Sequence, residues 1–328
     1  MVLGAIMTWL PVEDPLIALL QGLVGACGIS LMYNLLRVCL FLHSERRSPT
    51  GGASEQPKDE ITSIGHLSSG IQFVLIMGLL SLVGPRVSSL IVLEFCLRVF
   101  LASLLFGQGN IREVTQQLLI QCQFSLGCAL TCSLHFLHAG APHRFLSLLL
   151  AGALSWFLSS LGRRLWAHVG HFYPQHCSQQ ECGICLTLVS SGAALLPTLR
   201  RWVVMTFTVG IVAATATMNQ HFLRTAGDLR FWTPMTLCYI LLLVRILEDQ
   251  QSNPAREVML WSAGLRVGGL FVLLMMVGGL ADLLQVLLFL LGEGVCLLPS
   301  LGLLQRKAPL VSQSDREDGR NNYSQTTQ

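Results

Sequence analysis

The stretch VSSLIVLEFCLRVFLASLLF, residues 87–106, decides how the whole chain is read. Coiled as an α-helix at about 1.5 Å per residue it rises about 30 Å, the thickness of a bilayer's hydrocarbon core. Its two charges, Glu94 and Arg98, stand one turn apart with the acid first, the favourable order for an i, i+4 pair. The segment can therefore enter lipid with its charges neutralising one another.

Runs of the same character recur at 16–42, 64–83, 118–138, 145–161, 183–199, 202–219, 232–247, 258–280 and 283–304. Across 328 residues the composition is 52% hydrophobic and 12% charged, far from the roughly 25% charged residues of soluble domains. The runs are continuously apolar and do not alternate, so they read as helices and not as barrel strands. The fold class expected is all-α: a polytopic transmembrane helical bundle of nine or ten helices, eight at the fewest. One domain covers 16–304, with an N-terminal segment 1–15, a polar loop 43–63 and a polar tail 305–328 expected to be disordered. The first residues lack the basic n-region and small-residue site of a cleaved signal peptide. The bilayer is the partner this composition implies. The net charge of +3 is dispersed, which excludes a nucleic-acid surface; no cofactor and no particular protein partner is indicated. Eight of the eleven cysteines fall inside apolar runs, where a thiol acts as a small hydrophobe and not as a disulfide staple.

Sidedness follows from Lys and Arg. Ten alternating spans divide the basic residues ten against eight, whereas leaving 183–199 as a re-entrant or interfacial segment makes the division fourteen against four. The second reading, nine crossings, puts the N-terminus outside or in a lumen, and the 43–63 loop and the C-terminus in the cytoplasm. Small residues at i, i+4 suit close helix packing in lipid: Ala18, Gly22, Ala26 and Ser30; Ser125, Ala129 and Ser133; Ser147, Ala151, Ser155 and Ser159; Gly264 and Gly268.

Polar groups placed against the cost of burial mark the candidate sites, since a charge at mid-span costs about 2.5–3.5 kcal/mol on insertion scales. Glu94 and Arg98 form one such pair. Arg266 and Glu293 form a second, each about a dozen residues from the turn near Asp282 and so at similar depth. With Asp282 they line a cavity on one reading; on the other, Glu94–Arg98 fixes helix rotation and Arg266–Glu293 is a stabilising interhelical pair. Gln121, Gln123, Asn34 and Arg37 add interhelical hydrogen bonds or snorkelling groups. A separate cluster, His168, His171, His176, Cys177, Cys182 and Cys185, has the imidazole and thiol content of a tetrahedral zinc site, but a single Cys-x-x-Cys and neighbouring aromatics fit interfacial anchoring as well. No metalloprotease, nucleophile-elbow, Walker or dinucleotide motif occurs.

VLEFCLR from Val92, QCQFSLGCALTC from Gln121, GAPHR from Gly140, RFWTP from Arg230 and GGLFVLL from Gly268 resemble the transmembrane protein 82 family, from the first span to about Leu304. The resemblance implies a vertebrate multi-pass membrane protein and carries over no catalytic or binding residues. The functional expectation is a transporter- or channel-like protein with a buried Glu/Arg site. The alternatives are a membrane scaffold or accessory subunit and, third, a membrane enzyme.

Overall fold

A computed structural model of the chain describes residues 15–45, 62–106, 117–176, 183–221, 229–252, 256–277 and 280–305. Among these are nine long helices: α1 (Pro15–Glu45), α2 (Thr62–Leu82), α3 (Pro85–Phe106), α4 (Gln123–Leu137), α5 (Arg144–His176), α6 (Gly183–His221), α7 (Leu229–Ser252), α8 (Arg256–Val277) and α9 (Leu280–Gln305). A further helical turn at 117–121 leads into α4. The N-terminal segment to residue 14, positions 46–61 of the polar loop and the tail from 306 lie outside the described residues.

Direction alternates along the chain. The α2–α3 turn is tight, with Pro85 opening α3 where its missing N–H is not needed. Val92 lies against Gly210, and Phe95 stacks at 4.6 Å on Phe207, so α3 and α6 are antiparallel. Gly152 meets Leu20 and Leu23, Gly162 meets Leu31, and Trp166 meets Phe41, so α1 and α5 run parallel. Gln72 donates to the Val295 carbonyl and Gly84 abuts Gln285, setting α9 antiparallel to α2. The start of α1 and the end of α9 therefore emerge at opposite ends of the bundle. At the α9 end lie Arg37, stacked 4.0 Å over Trp166, together with Arg163, Arg164, Arg200 and Arg201. Their common level is fixed by the cluster of Leu36, Ile120 and Leu199.

The pattern of burial suits lipid. On α5 the exposed residues include Leu146, Leu150, Leu154, Phe157 and Leu161, one continuous apolar stripe, with Leu150 70% exposed. Inside, alanines, glycines, cysteines and hydroxyls stand among larger apolar side chains such as Leu36, Ile91 and Phe124. Ser133, Thr131 and Thr217 return their hydrogen bonds to carbonyls of their own helices, so they pack closely without stranding a donor. The eight described cysteines are all free.

Three expectations change. Segments 183–199 and 202–219 are one 39-residue helix, α6, with Pro197 inside it. Leu199-Arg200-Arg201-Trp202 contains no turn former, so the dip in hydropathy there is a change of depth and not a reversal. At about 58 Å, α6 outruns a 30 Å hydrocarbon core. Likewise α5 continues past Leu161 to His176, where Arg163 donates to Ser160 and Arg residues sustain the helix. The Gly264–Gly268 row is not an internal packing face: both glycines are exposed with nothing near their missing Cβ positions, and it is Gly269 that meets Tyr239 and Leu242 of α7.

Gly22 permits the closest approach of α1 and α2, since a Cβ there would stand 2.6 Å from the Met77 carbonyl oxygen. Gly22→Ala is expected to destabilise the bundle by roughly 1–3 kcal/mol through backbone displacement, read as a lowered thermal midpoint in detergent. Gly264→Ala, which meets nothing, should leave that midpoint unchanged or raised.

Candidate functional site

The centre of the bundle holds four charges from three helices, none more than 4% exposed: Glu94 and Arg98 of α3, Arg266 of α8 and Glu293 of α9. Each stands mid-helix; Arg266, for example, is ten residues after Arg256 and eleven before Val277. The Glu94–Arg98 pair expected from its spacing is present at 3.8 Å, and Arg266 donates through Nη2 to Glu293 Oε1 as expected from their equal distances to the α8–α9 turn. The two pairs are joined: Arg266 Nη1 donates to Glu94 Oε1 at 3.3 Å. One guanidinium thus bridges two carboxylates on two helices, and the four charges sum to zero.

Neighbouring elements hold these side chains in place. Arg98 donates from Nη1 to Gln121 Oε1 at 3.0 Å, just before α4, and its guanidinium carbon lies 5.1 Å from the Phe95 ring centroid. Gly292 precedes Glu293 because Phe124 of α4 occupies the space a Cβ would take; Phe124 and Phe289 then pack at 5.7 Å. That contact sets α9 against α4 at the depth of the charges. Tyr239 of α7, buried and packed on Gly269, lies within electrostatic reach of all four.

Hydrogen bonding within the network is incomplete. Glu94 Oε2, Glu293 Oε2, Arg98 Nε and Nη2, Arg266 Nε and the Tyr239 hydroxyl are buried with no hydrogen-bond partner among the described residues. A buried unsatisfied group costs roughly 1–3 kcal/mol, more when charged, so the network is held together at a cost. Chemically the set offers two carboxylate oxygens, guanidinium N–H groups and a phenol, able to hold a small polar or ionic guest of either sign.

Asp282 does not join them. It is buried in the first turn of α9, where a carboxylate favours the helix N-terminus, eleven residues and about 16 Å along the axis from Glu293. Nothing in the sequence pointed to Tyr239, a lone hydroxyl in an apolar helix. Of the proposed metal ligands, only His168 has a described side chain, half-buried on α5. The side chains of His171, His176, Cys177, Cys182 and Cys185 lie outside the described residues. The helix α5 does continue through His176, so the three histidines lie on helix and not on a loop. Among the described residues no three His, Cys, Asp or Glu side chains assemble as a metal site.

Comparison with known proteins gives one assignment. Among solved structures none matches the chain. The family model described as transmembrane protein 82 matches residues 16–319, a span that includes all four central charges and, apart from Pro15, all the helices described above. This chain is therefore an integral membrane helical bundle that belongs to the transmembrane protein 82 family.

Proposed function

We propose that the chain is a transporter- or channel-like membrane protein whose central Glu94–Arg98–Arg266–Glu293 site receives a small polar or ionic solute. The observation carrying this reading is the group of buried charged atoms at mid-helix depth that have no hydrogen-bond partner among the described residues. If stability alone were at stake, packed apolar residues would serve as well or better, because desolvating ion pairs consumes most of their attraction. Ionisable groups inside membranes otherwise mark solute and ion pathways.

Accessibility tests it with the four charges intact. Tyr239→Cys and Gln121→Cys, in a cysteine-depleted background, are expected to react with small water-soluble thiol reagents applied to protein in bilayers. Complete protection at both positions would sink the transport reading and leave the network as a structural lock.

That lock is the second reading, favoured by the zero net charge and by the bridging of α3, α8 and α9 through one guanidinium. Both readings predict how the network fails. Arg266→Met strands Glu293, leaves Glu94 with Arg98 alone, and is expected to cost about 3–5 kcal/mol. Combining it with Glu293→Leu leaves the neutral Glu94–Arg98 pair and should recover most of the loss in a thermal melt. No recovery would mean that the ion pair does not act as the unit described.

The alternating helices also support nine crossings with the arginine-rich end in the cytoplasm. On this topology the sequon at Asn322-Tyr323-Ser324 stays unglycosylated. Epitopes placed ahead of residue 15 and after residue 305 should be reached from opposite faces of sealed membranes; access from one face would exclude an odd number of crossings.

A further inference from the structure

A cleft of about 420 Å³ lies between α3, the 117–121 turn and α6, away from the central charges. Its volume is in the range of small-ligand sites. Phe95 and Phe207, stacked at 4.6 Å, form its floor, and Val99, Phe100, Val204 and Ile211 line the walls. The two hydroxyls in the lining are already engaged: Ser103 donates to the Phe100 carbonyl and Thr208 to that of Val204. The charged member of the lining is Arg200, an exposed residue. Among the described residues no carboxylate forms an ion pair with it.

Depth fixes what such a cleft can take. Along α6 it runs from Arg200 to Ile211, about 16 Å, close to half of a 30 Å hydrocarbon core. Arg200 stands beside Leu199, which packs with Leu36, so it lies at the level where Arg37 stacks on Trp166. Trp202 is exposed two residues on. Clustered arginines beside tryptophans mark the headgroup level of a membrane protein. The charged end of the cleft is therefore at the bilayer surface and the apolar part reaches to mid-bilayer.

We propose that this cleft is a binding site for one anionic phospholipid, with an acyl chain along Val99, Phe100, Val204 and Ile211 and the phosphate held by Arg200. Charge complementarity and one-leaflet depth identify the occupant. A guanidinium grips phosphate through paired N–H donors, whereas a chain without a headgroup at that level leaves the cation unanswered. The site does not depend on the transport reading. It meets the central network through Phe95, whose ring lies under Arg98, and through Cys122, next to Gln121.

Native mass spectrometry of the purified full-length protein, titrated with palmitoyl-oleoyl phosphatidylglycerol or the matching phosphatidylcholine, tests the assignment. Phosphatidylglycerol is expected to be retained over phosphatidylcholine. Arg200→Gln should weaken that retention about tenfold, the value of one charge-assisted hydrogen bond. Arg86→Gln, which removes an exposed arginine at the opposite end of α3, should leave it unchanged. Thr208→Trp fills the apolar part and should reduce retention with Arg200 still in place. Equal retention of both lipids by the parent protein would overturn the proposal. So would indifference of phosphatidylglycerol to both cleft variants, or capture of free oleate but no phospholipid.

Discussion

The guanidinium of Arg266 divides its donors between Glu293, across the α8–α9 hairpin, and Glu94, on a helix 172 residues earlier in the chain. Within α7–α9 the contacts are mostly hairpin contacts, and the trio meets the N-terminal body chiefly where α9 lies along α2 and α4. Apolar contact does not specify that meeting tightly, because in lipid a leucine face is equally satisfied by an acyl chain. A buried cation between two carboxylates does specify it. Displacement by one helical turn separates all three groups and leaves each uncompensated in a low dielectric. Register between the two parts of the molecule is therefore set by charge, and close packing fills in around it.

The packing that fills in is of two kinds. Where backbones approach, the side chains are small: Gly22 against the Met77 carbonyl and Ser81, and Gly210 against Ala129. Where a large side chain is inserted, a glycine receives it, as Gly292 receives Phe124. Large aliphatic residues occur inside, as Leu80 and Ile91 do, and also face outward, as on α5. The outward set differs from the surface of a soluble bundle and follows from the solvent, since an outer surface in lipid gains nothing from being polar.

Much of this was legible in the sequence where the governing rule is local. Helical class and the position of most helices follow from run length, and the partners Glu94–Arg98 and Arg266–Glu293 follow from helical spacing and from equal distance to a turn. The joining of those pairs was not legible, because it depends on which helices are neighbours, and spacing along one helix does not encode that. Glycine spacing failed at Gly264 and Gly268 for the same reason: the period shows that a helix has a small face but not that another helix covers it. At Arg200-Arg201 a drop in hydropathy resembled a loop although the backbone stayed helical. Two adjacent arginines lower the hydropathy without ending a helix. Tyr239 gave no signal, since a single hydroxyl in an apolar run looks the same whether it faces a charge cluster or lipid.

The central network also bears on how the chain is made. Synthesis delivers helices to the membrane from the N-terminus onward, so α3 enters lipid before α8 and α9 exist. Its own i, i+4 pair allows this, presenting the insertion machinery with a nearly neutral segment. Later α8 arrives with Arg266 alone. Until α9 has been synthesised, the closest counter-charge for that arginine is Glu94, already in the bilayer on a helix completed long before. The carboxylate of α3 thus acts as a receptor for the late-arriving helix, and Glu293 completes the neutralisation when the last helix is released.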